Sequence, residues 1–312
     1  MSGRLTLLGP QRHAPTLGDT LASLAVPPEA PVATVTAGWQ EREPDDAELD
    51  AHLGGRSVNL ALYRRVAEVF AHDRELEAAV HARQETLRRL QTLYRVRLDP
   101  AVGACHALLA MPGEDAPLIA EREAAIEALR DLDRRHLARV RDVHAEFETR
   151  WRPGEREPLA QARASVARIL GGVAALAIAG GHVAVLLNRL RLLDVGAGAR
   201  SMDVVAWSAG AMALSPTVVL FHDNPPHGPG HPEALEVGLG LAPGIVPLPH
   251  ARHRLRLDDA RRVSVTAQRF HPSACVPMDD NARLDWDGSR WAPTAGTRRL
   301  GDDGAVTVWR AA

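Results

Sequence analysis

The chain has 312 residues, with 37 basic side chains against 39 acidic ones, 14 histidines and a formal net charge of −2. That near-neutral balance argues against a general polyanion binder, and no nucleic-acid partner is expected. Every basic residue apart from histidine is arginine, which rules out a phosphate-binding Walker lysine, a Schiff-base lysine and a Ser-Lys dyad.

The elements follow in chain order. The opening "MSGRLTLLGP" has too short an apolar stretch for a signal peptide. Runs 4–9 (RLTLLG) and 31–38 (PVATVTAG) are apolar, rich in β-branched residues and closed by glycine. They predict central strands of a mostly parallel sheet. From about Asn59 to Arg150 the character changes to Arg, Glu, Ala and Leu, with apolar residues at helical spacing: Val66, Phe70, Leu76, Val80, Leu87, then Ile126, Leu129, Val140 and Phe147. This predicts a pair of long amphipathic helices joined through the Pro/Gly-containing segment 98–117. Their apolar stripes pack on each other or on a second subunit, so a homodimer through this arm is one assembly they allow.

The α/β pattern returns at 172–181 (GVAALAIAGG), followed by a helix at HVAVLLNRLRLL, a strand at SMDVVAWSAG and a helix beginning AMALS. The longest apolar run, 173–187, is interrupted by Gly-Gly-His and falls short of the roughly 20 residues a bilayer span needs. A cytoplasmic protein without a membrane partner is the expectation. Asp-Gly pairs among short alternating runs near the end predict β-hairpins. Cys105 and Cys275 lie far apart with no paired spacing and read as independent thiols.

The stretch 204–214 (VVAWSAGAMAL) carries the candidate chemistry. A strand running into Ser208 and then a helix, with Ala206, Ala209, Gly210 and Ala211 around it, fits a nucleophile elbow, although Ala206 stands where the motif usually has glycine. The alternative is a plain helix cap. A serine hydroxyl needs a base, and the base needs an orienting acid. Asp223 and His250 follow in that order, with His250 closer to the serine than in the α/β-hydrolases.

Four stretches, AIAGGHVAVLLNRLR, AWSAGAMAL, GLGLAPGIVPLPHARHRLRL and CVPMDDNARLDWDG, together resemble the cyanophycinase and dipeptidase E family of serine peptidases, a branch of the class I glutamine-amidotransferase-like folds. The likeness spans roughly residues 172–290 and leaves the helical arm unaccounted for. It implies Ser208 as nucleophile and His250 as general base. Asp223 is the first choice for the acid, with Glu233 and Glu236 as competitors. The oxyanion hole would come from the backbone of Ala209 and Gly181, and substrate contacts from His182, Arg254 and Arg256. The chain departs from the family at His182-Val183, which replaces its polar residue, and at Asp259, which replaces a basic one.

The fold expected is a flavodoxin-like three-layer α/β sandwich with a mostly parallel sheet, a long helical-hairpin insertion and a C-terminal β-hairpin region. Residues 1–56 and 166–312 would form the α/β domain and 57–165 the insertion. The function expected is serine-dependent cleavage of a small peptide or amide substrate, with no cofactor and no metal. Two rivals stand beside it. One is an interaction protein whose peptidase fold has lost its activity. The other is a metal-dependent hydrolase using His222, Asp223, His227, His231 and Glu233 of the histidine-rich loop.

Overall fold

The fold was analysed in a computed structural model, which describes residues 3–223, 230–294 and 296–310. The first apolar run forms strand β1 (Leu5–Leu8), followed by helix α1 (Leu17–Ser23) and strand β2 (Val32–Val35). After a 3₁₀ turn at Ala37–Arg42 come α2 (Ala47–His52), β3 (Ser57–Asn59) and α3 (Leu62–His72). Two long helices follow, α4 (Arg74–Ala110) and α5 (Ala116–Trp151), and then α6 (Glu157–Leu170).

The sheet resumes with β4 (Ala175–Ile178), α7 (Val183–Leu192), α8 (Val195–Ala199), β5 (Asp203–Trp207) and α9 (Ala209–Leu214). Strands β6 (Thr217–Leu220) and β7 (Glu233–Val237) pair antiparallel, and β8 (Ile245–Pro249) pairs in parallel with β9 (Ala274–Met278) across α10 (Ala251–Arg254) and α11 (Ala260–Phe270). Two Asp-Gly hairpins close the chain: β10 (Arg283–Trp286) with β11 (Trp291–Pro293), and β12 (Arg298–Leu300) with β13 (Val306–Val308).

The central sheet has seven strands in the order β11-β10-β1-β5-β4-β2-β3. Its five strands from β1 to β3 run parallel, while β10 and β11 are antiparallel. Side chains alternate between its two faces, as the two-residue strand period requires. Leu8, Ala175, Ala177, Val205 and Trp207 pack on α1 residues Leu17 and Leu21. Leu7, Leu176, Ile178, Val204 and Ala206 belong to the larger core shared with α3, α7 and α9. Both faces are covered, which is why these strands read as continuous apolar runs.

The helical region differs from the sequence expectation in two respects. The expected insertion from residue 57 begins with a strand of the central sheet, β3, and Val66 and Phe70 lie on the separate α3 packed in the sheet core. In addition, α4 continues through Pro100 rather than breaking near it. A helical proline leaves the carbonyl four residues earlier without its donor. Here that carbonyl belongs to Val96, on the exposed side of the helix. Leu98, Val102 and Cys105 on the opposite side pack against Ile126, Leu129 and Leu132 of α5 and hold the continuation in place.

The arm is fastened to the α/β body by a buried polar knot. Asp133 of α5 accepts from Arg269 Nε at 2.7 Å and Nη2 at 2.8 Å, and from Tyr94 Oη at 2.7 Å. Tyr94 also accepts from the Ala234 amide, and Arg269 Nη1 donates to the Pro232 carbonyl. Three helices and the start of β7 thus meet on one satisfied ion pair.

Removing one partner from such a pair leaves a buried charge uncompensated, at a cost of about 3–5 kcal/mol. Asp133→Ala is therefore expected to lower the urea midpoint strongly. Arg135→Ala, which breaks only an exposed pair with Asp131, is expected to cost about 1 kcal/mol or less.

Candidate active site

Three strand ends converge at the carboxyl edge of the sheet. Gly38 follows β2, Gly180 and Gly181 follow β4, and Ser208 follows β5. The chain leaves β2 toward β3 on one side and β4 toward β5 on the other, so this is the crevice where open α/β sheets bind ligands.

Ser208 sits between β5 and α9 with φ 50° and ψ −124°, a strained conformation for a residue with a Cβ. Close backbone approach around it explains the small neighbours. A Cβ on Gly180 would lie 2.7 Å from Ser208 Cβ, and one on Gly210 would lie 2.3 Å from the Ile178 carbonyl oxygen. Larger side chains at either position would push the turn off the sheet. Ala209 opens α9, and its N–H has no intrahelical acceptor.

His250 comes from the end of β8. Its backbone adopts a left-handed conformation, φ 57°, and its amide donates to the Met278 carbonyl at the end of β9. The parallel β8–β9 pair thereby fixes where the imidazole emerges. Its Nε2 lies 3.4 Å from Ser208 Oγ, the long side of hydrogen-bond reach and common before substrate binds. Partial burial pushes the His250 pKa below its ordinary value, and the positive charge of Arg254 pushes it the same way. The carboxylates of Asp279 and Asp280 oppose the shift. The net downward direction favours the neutral imidazole, the form that accepts a proton.

Asp223 is placed differently from the sequence expectation. It is buried, but its carboxylate takes a two-point contact from Arg262, 2.5 Å and 3.2 Å, and the Arg256 amide at 3.0 Å. It makes no hydrogen bond to His250 among the described residues. An arginine 39 positions downstream claims the acid, a pairing invisible in the local sequence. The competing acids are engaged too: Glu233 with Gln91 and Arg95, Glu236 with His144 and Arg191. The carboxylates that act on His250 are the acidic pair after β9. Asp279 is half-buried there and accepts from the Arg252 amide.

Of the expected substrate contacts, His182 and Arg254 line the same cavity as Ser208 and His250. His182 also caps α7 through its own side chain. Arg256 does not line that cavity; its side chain points to Asp259 at 3.7 Å. Arg254 ends the short α10 turn and Arg256 lies in the loop after it, so the two diverge.

In the histidine-rich loop, His227 lies outside the described residues. Among the described residues no group of three His, Cys, Asp or Glu side chains is arranged to hold a metal ion. His231 pairs its ring with His106, while Asp223 and Glu233 are committed to arginines. Both cysteines are buried, and burial pushes the Cys275 thiol up to about 12, which leaves it inert. No described helix is long and apolar enough to cross a membrane.

The cavity has a volume of about 1470 Å³ and reaches from the elbow along α7 to one face of α4. The arm thus forms part of its wall.

No protein-family model matches the chain, and no curated protein matches its sequence. One solved structure that is similar is described as the crystal structure of a peptidase from an acI-B1 Actinobacterium. It shares 13% identity over 100% of this chain and 95% of that one, with a TM-score of 0.48.

The electrostatics of His250 give a pH-dependent expectation. In an NMR titration, the imidazole signal lost in His250→Gln should titrate below the ordinary histidine value of about 6.5. Arg254→Ala removes a charge that lowers this pKa, so the midpoint should move up toward that value.

Proposed function

We propose that this protein hydrolyses a peptide or amide bond through an acyl-enzyme formed on Ser208. The observation that carries the reading is the 3.4 Å approach of Ser208 Oγ to His250 Nε2, at a strained turn that opens into a large cavity. Ser208 Oγ attacks the substrate carbonyl carbon while its proton passes to His250 Nε2. The oxyanion is held by the Ala209 and Gly181 amides; one such donor is worth roughly 3 kcal/mol of barrier. Collapse of the tetrahedral intermediate breaks the C–N bond, and His250 returns the proton to the leaving amine. A water molecule, deprotonated by His250, then cleaves the ester and restores the serine.

Asp279 and Asp280 take the part that the sequence suggested for Asp223, as a negative field that stabilises the imidazolium formed in each step. His182 and Arg254 contact the substrate from opposite sides of the mouth. The chain is read as cyanophycinase- and dipeptidase-E-like. The four strands β3-β2-β4-β5 repeat the first positions of the flavodoxin-like order, with β1 in the fifth place. Groups held apart and no cavity would have favoured a fold that had lost its activity; the 3.4 Å approach and the cavity support the active reading instead.

A fluorophosphonate probe followed by peptide mapping tests this. Labelling is expected at Ser208 and at background level in Ser208→Ala and His250→Ala. Labelling elsewhere, or labelling indifferent to both substitutions, contradicts the proposal.

A further inference from the structure

The cavity wall formed by α7 and α4 carries polar donors that the protein itself leaves without partners among the described residues. Arg189 of α7 lines the cavity, half-buried, and makes no ion pair with any carboxylate among the described residues. Its Nη1 donates to Asn188 Oδ1 at 2.7 Å, its guanidinium lies 5.2 Å from the Tyr63 ring, and its Nε has no partner among the described residues. The nearby Glu43 accepts from the Tyr63 and Arg64 amides and reaches Arg189 only through its charge.

Arg191, two residues on, shares the single acid Glu236 with His144 and donates to the Val237 carbonyl. Arg83, buried and stacked on Phe147 at 4.0 Å, adds a further guanidinium near Arg191, with Glu148 and Glu236 opposing its charge. Burial, and then the charge of Arg191, push it down to about 10. From the opposite wall, α4 presents exposed Arg88 to the same space. The Asn188 side-chain amide, buried and on the cavity wall, has an Nδ2 donor without a partner among the described residues.

A half-buried guanidinium with no ion pair, beside a buried amide donor with no partner among the described residues, is the complement of an anion that arrives from outside. The distance along α7 says where on a substrate that anion lies. Arg189 is seven residues beyond His182, which at 1.5 Å per helical residue places it about 10 Å along α7 from His182, itself just past the Gly180 that abuts Ser208. An extended peptide covers that span in about three residues.

We propose that Arg189, Arg191, Asn188 and Arg88 form an anion subsite, and that it holds an acidic side chain of a peptide substrate about three residues from the scissile bond. The placement relative to the bond rests on the hydrolase reading; the subsite itself does not. The helical arm, which the family resemblance leaves unexplained, then has a role in selecting substrate: α4 closes the cavity and contributes the outer cation.

The test is fluorescence anisotropy with fluorescein-labelled hexaglutamate and hexaglutamine on the full-length Ser208→Ala protein. Hexaglutamate is expected to bind at least about tenfold more tightly. Arg189→Gln and Arg88→Ala should each weaken it severalfold. Arg88 is exposed, so its substitution remains informative if Arg189→Gln fails to fold. Arg97→Ala, an exposed change on α4 away from the cavity, should leave binding unchanged. Equal affinity for the two peptides overturns the proposal. So does binding that ignores Arg88→Ala, or that falls equally with Arg97→Ala, since attraction would then be spread over the surface. Hexaglutamate binding in the expected pattern, together with a wild-type protein that takes no fluorophosphonate at Ser208, overturns the hydrolase reading and not the subsite.

Discussion

The site depends on how closely three backbone segments approach one another at the carboxyl edge of the sheet. Gly180 abuts Ser208, Gly210 abuts the carbonyl of Ile178, and the His182 amide donates to the Gly38 carbonyl at 2.7 Å. A side chain at any of these contacts would separate the strand ends. Ser208 can occupy its unfavourable φ only because its surroundings over-determine it, through β5 fixed between β1 and β4 on one side and the buried α9 on the other. The strain has a chemical consequence: it turns the hydroxyl away from the helix it would otherwise cap and toward the cavity.

His250 is held by independent means. Its place is set by the β8–β9 pair and the Met278 carbonyl rather than by the central sheet. Ser208 and His250 therefore belong to different substructures, joined through the core that contains both Ala209 and Leu248. The long helices add a third body, anchored by the buried Tyr94–Asp133–Arg269 knot. That knot also ties down Pro232 and Ala234, so the end of the histidine-rich loop is fastened by the same residues that dock the arm.

Much of this was legible in the sequence, for physical reasons that can be named. Strands buried on both faces must be continuously apolar, so β1, β2, β4 and β5 stand out. The elbow announces itself because only small residues tolerate its contacts. His250 was legible through the segment that leads to it. What could not be read was partner choice at long range. Asp223 has the right order and spacing for an orienting acid, yet Arg262 claims it across 39 positions. Arg254 and Arg256 look equivalent in the chain, but the α10 turn sends one to the cavity and the other to Asp259. Pro100 signals a break that burial of Leu98, Val102 and Cys105 overrides. The acidic pair Asp279–Asp280 was visible as a pair, but its position beside His250 follows only from the pairing of β9 with β8.

The most direct test of the central geometry is a crystal structure of the protein after reaction with a fluorophosphonate. The account predicts phosphorus bonded to Ser208 Oγ, one phosphoryl oxygen about 2.7–3.1 Å from the Ala209 amide nitrogen, and His250 Nε2 facing the esterified oxygen. A phosphonate attached to another residue, or a Ser208 adduct with His250 turned away and no backbone donor on its oxygen, would contradict it.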